Sequence, residues 1–353
     1  VSDADFDLRQ VVPHDAIPSV DDPQGVPVAA YEGEPDDDVV AVAVKGRARA
    51  YPVRYLHYHE IVNDELGGVP VAVTWCPLCG SAVVYDRRAE TVDAEGADLD
   101  DEGGLPETLT FGVSGKLADD DLVMYDGETG TEWKQSLGRA LSGLLAGASL
   151  RVLPAGVTTM ARFREAHPDG DVLAPPGGES EAAGDGDDPE PVDYDEAPYE
   201  RYFEAEGFGL GAHRGTGGRS WDRTDLDPKA VVLGVEQDGD ALGFPLPRVE
   251  AAGGVVTAMI GGERVVVFAD EGIHAFADPG YDWRPTPAGF RADRPDGTGA
   301  LYDGATGLPV DAPAAHTGES GGAAAEPLER VPSRRLFAFA WQDDHGADAF
   351  YEP

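Results

Sequence analysis

His59-Glu60-Ile61-Val62-Asn63-Asp64-Glu65-Leu66-Gly67-Gly68-Val69-Pro70-Val71-Ala72-Val73-Thr74-Trp75-Cys76-Pro77-Leu78-Cys79-Gly80-Ser81-Ala82-Val83-Val84-Tyr85-Asp86-Arg87 carries both cysteines of the chain and its tightest cluster of potential metal ligands. Residues 69–75 and 81–85 are short runs rich in β-branched side chains, which predicts two strands. Cys76-Pro77-Leu78-Cys79-Gly80 is then the reversal between them. Pro77 pre-sets φ, and Gly80 can take the left-handed conformation that folds the second sulfur back toward the first. Such a loop is a chelating knuckle or a redox pair.

A tetrahedral zinc or iron site built on one cysteine pair needs further donors, and the chain has no third cysteine. The nearest are His57 and His59, with Glu60 and Asp64 behind them. Cys76, Cys79 and His59 would leave an open coordination position, the ligand set of a catalytic rather than a closed structural metal. Alternatively the pair cycles between dithiol and disulfide, Cys76 attacking and Cys79 resolving, with a neighbouring histidine lowering a thiol pKa. The plain structural reading is two small buried residues in a tight turn. It is disfavoured because both cysteines fall in one Cys-Pro-x-Cys-Gly loop beside a His-x-His.

Arg49-Ala50-Tyr51-Pro52-Val53, His59 to Asp64, and Gly67 to Gly80 together resemble the DUF3179 family of uncharacterised bacterial and archaeal proteins. Ile17-Pro18-Ser19 and Asp21-Asp22-Pro23 lie upstream. Phe111-Gly112-Val113-Ser114-Gly115-Lys116-Leu117, Asp121-Leu122-Val123-Met124-Tyr125-Asp126, Trp133 with Gln135, and Phe337 to Trp341 extend the likeness over nearly the whole chain. The family has no established activity, so the resemblance implies membership and no function.

The 67 acidic residues against 26 basic give a formal charge of −41, spread along the whole chain. Self-repulsion on that scale destabilises the compact state in dilute buffer, and molar salt, with a Debye length of about 3 Å, silences it. The composition points to a salt-accumulating halophile, a haloarchaeal-type member, unstable at low salt. Nothing resembles the basic stripe that nucleic acid requires. No window approaches the roughly 20 apolar residues of a transmembrane helix. Residues 1–7 show no signal-peptide pattern, and without an initiator Met the location stays either cytoplasmic or exported after removal of a leader.

In chain order, residues 1–35 read as an irregular lead-in and 36–174 as an N-terminal lobe holding the cysteine hairpin. Residues 175–198 have the composition of an acidic disordered insertion, and 199–353 read as a C-terminal lobe. Within the first lobe, residues 39–44 and 48–53 form a hairpin, 54–63 a short helix or turn, and 92–107 a solvated acidic loop. Strands are expected at 108–113, 122–125 and 131–135, with a turn at 114–116 and a short helix at 160–166. Residues 334–341 read as a closing strand, after an Ala- and Gly-rich loop over 312–327.

The pattern of the first half returns after Pro228. Residues 231–246 lie over 39–53, Gly261-Gly262-Glu263-Arg264-Val265 over Gly67-Gly68-Val69-Pro70-Val71, and Leu301-Tyr302-Asp303-Gly304-Ala305-Thr306-Gly307 over Met124-Tyr125-Asp126-Gly127-Glu128-Thr129-Gly130. The expectation is a mainly β (α+β) fold of antiparallel sheets and short helices, with two related β-rich lobes from an internal duplication. Where the first copy has Trp75 to Gly80, the second has Ala269 to His274, without sulfur. The second lobe thus serves as a control that points to function in the first.

Other candidates are weaker. Trp133 and Gln135 alternate with Glu132 and Lys134, so both face one side of a strand, toward a pocket; with Asp64 they are the candidate cofactor-binding residues. Met124 could add a soft ligand, Lys116 and Arg139 could bind an anion, and His213 sits on a Gly-rich loop able to reach a site. The reading is a metal- or redox-active site of Cys76, Cys79 and His59, with His57 as a further donor, holding zinc, copper or iron and facing an unknown small molecule. A non-catalytic metal carrier or sensor, or an interaction domain with a structural zinc knuckle, are the alternatives.

Overall fold

The computed structural model describes residues 6–94, 106–184, 188–295, 297–310 and 325–353. With 41% strand and 15% helix the chain is mainly β, in antiparallel sheets with few short helices, as expected.

The first hairpin pairs Asp38–Val44 with Arg47–Pro52 across Lys45-Gly46, both at positive φ. Two positive φ values give the turn the twist of its flanking strands. Pro52 has no N–H to give the ladder, and it caps the helix Val53–His59. That helix stops at Glu60, and the chain enters a meander of Ile61–Leu66, Val69–Cys76 and Ser81–Asp86. Gly67 lies against the hairpin turn so closely that a Cβ would meet the Val44 carbonyl oxygen at 2.7 Å.

The same order of elements recurs downstream. Val231–Gln237 pairs with Asp240–Pro245 across Asp238-Gly239, again both at positive φ, and leads into the helix Leu246–Ala251. The meander Val255–Ile260, Glu263–Ala269, Ile273–Ala277 follows. A Cβ on Gly261 would collide with the carbonyl oxygen of Gln237, the same packing on the same turn. The two Asp-Gly-x-Thr-Gly turns also match. Asp126 accepts from the Thr129 N–H and receives its own turn bond from Gly130 N–H; Asp303 does the same with Thr306 and Gly307.

Each series then runs a strand straight into a helix. Ala155–Thr159 pairs with Asp38–Val44 and continues as Met160–Ala166; Arg334–Phe337 pairs with Val231–Gln237 and continues as Ala338–His345. Beyond these helices Val172 pairs in parallel with Ala50, and Phe350 bridges in parallel to Gly243.

The halves interlock through a six-stranded sheet ordered Asp240–Pro245, Val231–Gln237, Arg334–Phe337, Ser81–Asp86, Val69–Cys76, Ile61–Leu66. The largest apolar cluster therefore mixes Cys76, Cys79, Val83, Trp133 and Leu145 with Val232, Leu336, Phe339 and Trp341. The cysteine turn lies on this shared core.

Three local expectations change. The strand over 334–341 stops at Phe337, and Ala338, Phe339, Ala340 and Trp341 are all buried on a helix rather than alternating on a sheet. Residues 114–116 are no turn; they sit inside the strand Phe111–Ala118, where the register shifts between Val113 and Lys116, and the reversal is Asp119-Asp120. The segment 175–198, expected without fixed structure, contains the antiparallel pair Glu179–Ser180 and Glu190–Pro191. Residues 95–105 of the acidic loop, 185–187 and 311–324 lie outside the described residues.

Candidate metal centre at the cysteine turn

Cys76 ends one strand and pairs with Ser81, which begins the next, so residues 77–80 must reverse within four positions. Gly80 does this at φ 55°, and Phe337 N–H donates to the Cys79 carbonyl at 2.7 Å from the neighbouring strand. Both cysteines are free and buried, and their sulfurs lie 3.6 Å apart.

The third member comes from a different hairpin. Asp119 and Asp120 turn at φ 55° and 69°, a conformation that aspartate tolerates better than most side chains, so that Ala118 pairs with Asp121. The Cys79 thiol donates to the Asp120 carbonyl at 3.3 Å, which ties the two turns together. A carboxylate oxygen of Asp121 and the two sulfurs all lie within 4.8 Å of one another, the group of three candidate ligands found among the described residues. Asp121 Oδ2 accepts from Ser136 N–H at 2.7 Å, while Oδ1 is buried without a hydrogen-bond partner.

Burial dominates the electrostatics. It pushes both thiols up, Cys79 strongly, while hydrogen bonds from the Cys79 side chain and backbone favour the Cys76 thiolate. Burial likewise raises Asp121 to about 6, against the pull of Lys134, and raises Glu60 to about 8 with help from the like charges of Glu181 and Asp121. Lys134 is itself buried against Asp344, 2.7 Å away, and Asp119, 3.2 Å away. Desolvated acids thus outnumber the cation near them.

A cleft of about 660 Å³ opens over this point. Cys76, Glu60, Lys116, Tyr199, Tyr202 and His213 are among its walls. His213 stacks on Tyr199 at 5.2 Å, and Lys116 pairs with Glu132 at 2.6 Å. Tyr202 fixes the floor by donating to the Leu78 carbonyl at 2.6 Å.

The other sequence candidates lie outside this group, and most are engaged elsewhere. His59 Nδ1–H donates to the Pro18 carbonyl at 3.0 Å, which leaves Nε2 to accept from Tyr194 Oη–H at 2.7 Å. Both ring nitrogens are thereby used, and burial lowers its pKa. His57 is half-buried and packs against Trp75, Tyr199 and Phe203, with Nε2 unpartnered, and desolvation lowers it to about 4. Asp64 receives Arg49 Nη1–H at 2.6 Å and Tyr51 Oη–H at 2.7 Å. Gln135 receives the Ser81 hydroxyl and donates to Thr74 Oγ1 at 2.7 Å; Trp133 Nε1–H donates to Asp126 at 2.9 Å. Met124 is wholly buried in the core. None of these joins the sulfur–carboxylate group.

Asp121 was not singled out from the sequence as a ligand, because its meeting with the sulfurs depends on where the Asp119-Asp120 turn falls. The signal that could have found it is the run Asp119-Asp120-Asp121 between two β-rich segments: a tight hairpin turn followed by an acidic first strand residue.

No curated protein and no solved structure matches this chain. A family model does match, over residues 14–348, and its description is a protein of unknown function. Since that span takes in the cysteine turn, the Asp119-Asp120 hairpin and the second half alike, the chain belongs to the DUF3179 family.

Proposed function

We propose that this protein binds one thiophilic transition metal through the Cys76 and Cys79 thiolates and the Asp121 carboxylate, and presents it to the cleft through Cys76. The observation that carries this reading is the convergence of the three ligand atoms within 4.8 Å, with one oxygen of buried Asp121 unpartnered. Two thiolates each about 2.3 Å from one tetrahedral ion stand about 3.8 Å apart. The 3.6 Å separation fits that, whereas a disulfide would need about 2.05 Å. Two sulfurs and a carboxylate oxygen suit zinc or iron(II) better than copper(I). The ion would also offset the desolvation that otherwise favours the neutral forms of these buried thiols and acids.

The test is metal content and thiol count after purification under argon. The expected result is one metal per chain, lost in Cys76→Ser, Cys79→Ser and Asp121→Asn and retained in His59→Ala. A metal-free protein whose two thiols form a reversible disulfide would replace this reading with the dithiol one. There, Cys76 and Cys79 together give two electrons and two protons to a disulfide, which leaves as two thiols.

Two further readings accompany this one. The repeated element order, the paired glycines at 67 and 261 and the matching strand-into-helix endings support an internal duplication in which only the first copy carries cysteines. The charge of −41 supports a salt-requiring protein, for which melting in 3 M KCl should lie well above melting in 0.1 M; equal midpoints would refute it. Among the described residues no helix is long and apolar enough to cross a membrane.

A further inference from the structure

We infer that Glu60 belongs to the same site, as a fourth donor that closes on a divalent thiophilic cation from the cleft side. This rests on the metal reading above and adds a ligand to it.

The backbone gives the first reason. Glu60 has φ 56° and ψ −31°, off even the small left-handed helical region, and a side chain there is strained. Its carbonyl accepts from Trp75 N–H at 2.7 Å. At the corresponding step of the second half, the residue whose carbonyl accepts from Ala269 N–H, at 2.9 Å, is Gly254, with φ 86°. Glycine meets the need of the fold at this corner. A glutamate there adds a carboxylate that the corner itself does not need.

The surroundings give the second. Glu60 is only 7% exposed, and among the described residues its carboxylate has no hydrogen bond and no ion pair. It lines the cleft with Cys76, and its charged neighbours are Glu181 and Asp121, both of its own sign. A carboxylate so placed among acids and thiols is neutralised either by a proton or by a cation, and a cation shared with the sulfurs would hold it ionised. Glu60 lies outside the tight group of Cys76, Cys79 and Asp121, so it engages by rotation of its long side chain. That would make two sulfur and two oxygen donors, a set that zinc and cobalt(II) accept.

Cobalt(II) added to the chelator-stripped full chain is the probe. The wild type should show thiolate-to-cobalt charge transfer with the intense visible bands of four-coordinate cobalt. Glu60→Gln and Glu60→Gly should keep the charge transfer but bind on the order of tenfold more weakly or worse, with altered visible bands. Metal-free Glu60→Gly should melt at or above the wild type, because glycine fits this corner. Unchanged affinity and bands in Glu60→Gln would overturn the assignment, and so would a metal-free Glu60→Gly that melts well below the wild type. Absence of charge transfer in the wild type itself would overturn the cysteine site and Glu60 with it, whereas its loss only in Cys76→Ser and Cys79→Ser, with Glu60→Gln unaffected, would overturn Glu60 alone.

Discussion

The helix Met160–Ala166 and the helix Ala338–His345 each follow a strand paired to the first hairpin strand of its half, and in each an aromatic residue meets a histidine four positions on: Phe163 with His167, just past the helix end, and Trp341 with His345. What lies in the hairpin of each half differs in proportion. Ala41 pairs with Ala50 in the first half, and Gly234 with Gly243 in the second, where a Cβ on either glycine would strike the Trp341 ring. The larger ring goes with the smaller pair. Ring size and pair size offset each other in the two series, while the second has no cysteine and has Gly254 at the step where the first has Glu60; volume is matched where chemistry is not.

The sharpest way to break this comparison is to remove the rings. Trp341→Ala and Phe163→Ala should each cost about 3–5 kcal/mol in urea unfolding. Gly243→Ala should cost about 2 kcal/mol by overpacking, and Trp341→Phe in the same chain should recover part of that. Full recovery is not expected, because Trp341 Nε1–H also donates to the Ala349 carbonyl at 2.7 Å. Strict additivity of the two changes would mean the glycines are not there for the tryptophan.

A smaller effect separates the halves by pH. His274 is wholly buried beside Arg330, with Nε2 3.2 Å from the Asp270 carbonyl, and burial then the nearby guanidinium lower its pKa to about 3. The corresponding meander position in the first half is Val83, which cannot titrate. A histidine whose folded pKa is depressed contributes stability above its unfolded pKa of about 6.5, and loses it as pH falls toward 3. Relative to His274→Val, the wild type should therefore lose on the order of 3 kcal/mol over that window, read by melting at stepped pH. A constant difference would place the protonation elsewhere.

Gly67→Ala and Gly261→Ala should each cost about 1–3 kcal/mol, and by similar amounts, since both combine positive φ with a carbonyl contact. Unequal losses would argue against equivalent corners. Smallest of all, Lys45→Gly and Asp238→Gly should change stability by no more than about 0.5–1 kcal/mol, each relieving a positive φ in a two-residue turn.

Much of this architecture was legible because it is local. The Gly67-Gly68 and Gly261-Gly262 turns, the hairpins, the helix at 160–166 and the cysteine reversal all follow from neighbours in the chain. The site was legible only by halves. His59 is two strands' length from the sulfurs in sequence and looked like their natural partner, yet Pro18 and Tyr194 take both its ring nitrogens. Asp121 reaches them because one hairpin turn falls at Asp119-Asp120 rather than at Gly115, a register that alternation alone does not fix. The closing helix was missed because a run in which every residue is buried has no period to read.

The strand Arg334–Phe337 has a consequence for how the protein is made. The Arg335 guanidinium donates to the Gly80 carbonyl across 255 residues of chain, and Phe337 holds the Cys79 carbonyl. At roughly 5–20 residues per second, a ribosome takes about 13–50 s to add that length. Through that interval the newborn thiols lack the strand that encloses them, so any cellular reductant or metal donor has a defined opportunity to reach them before release.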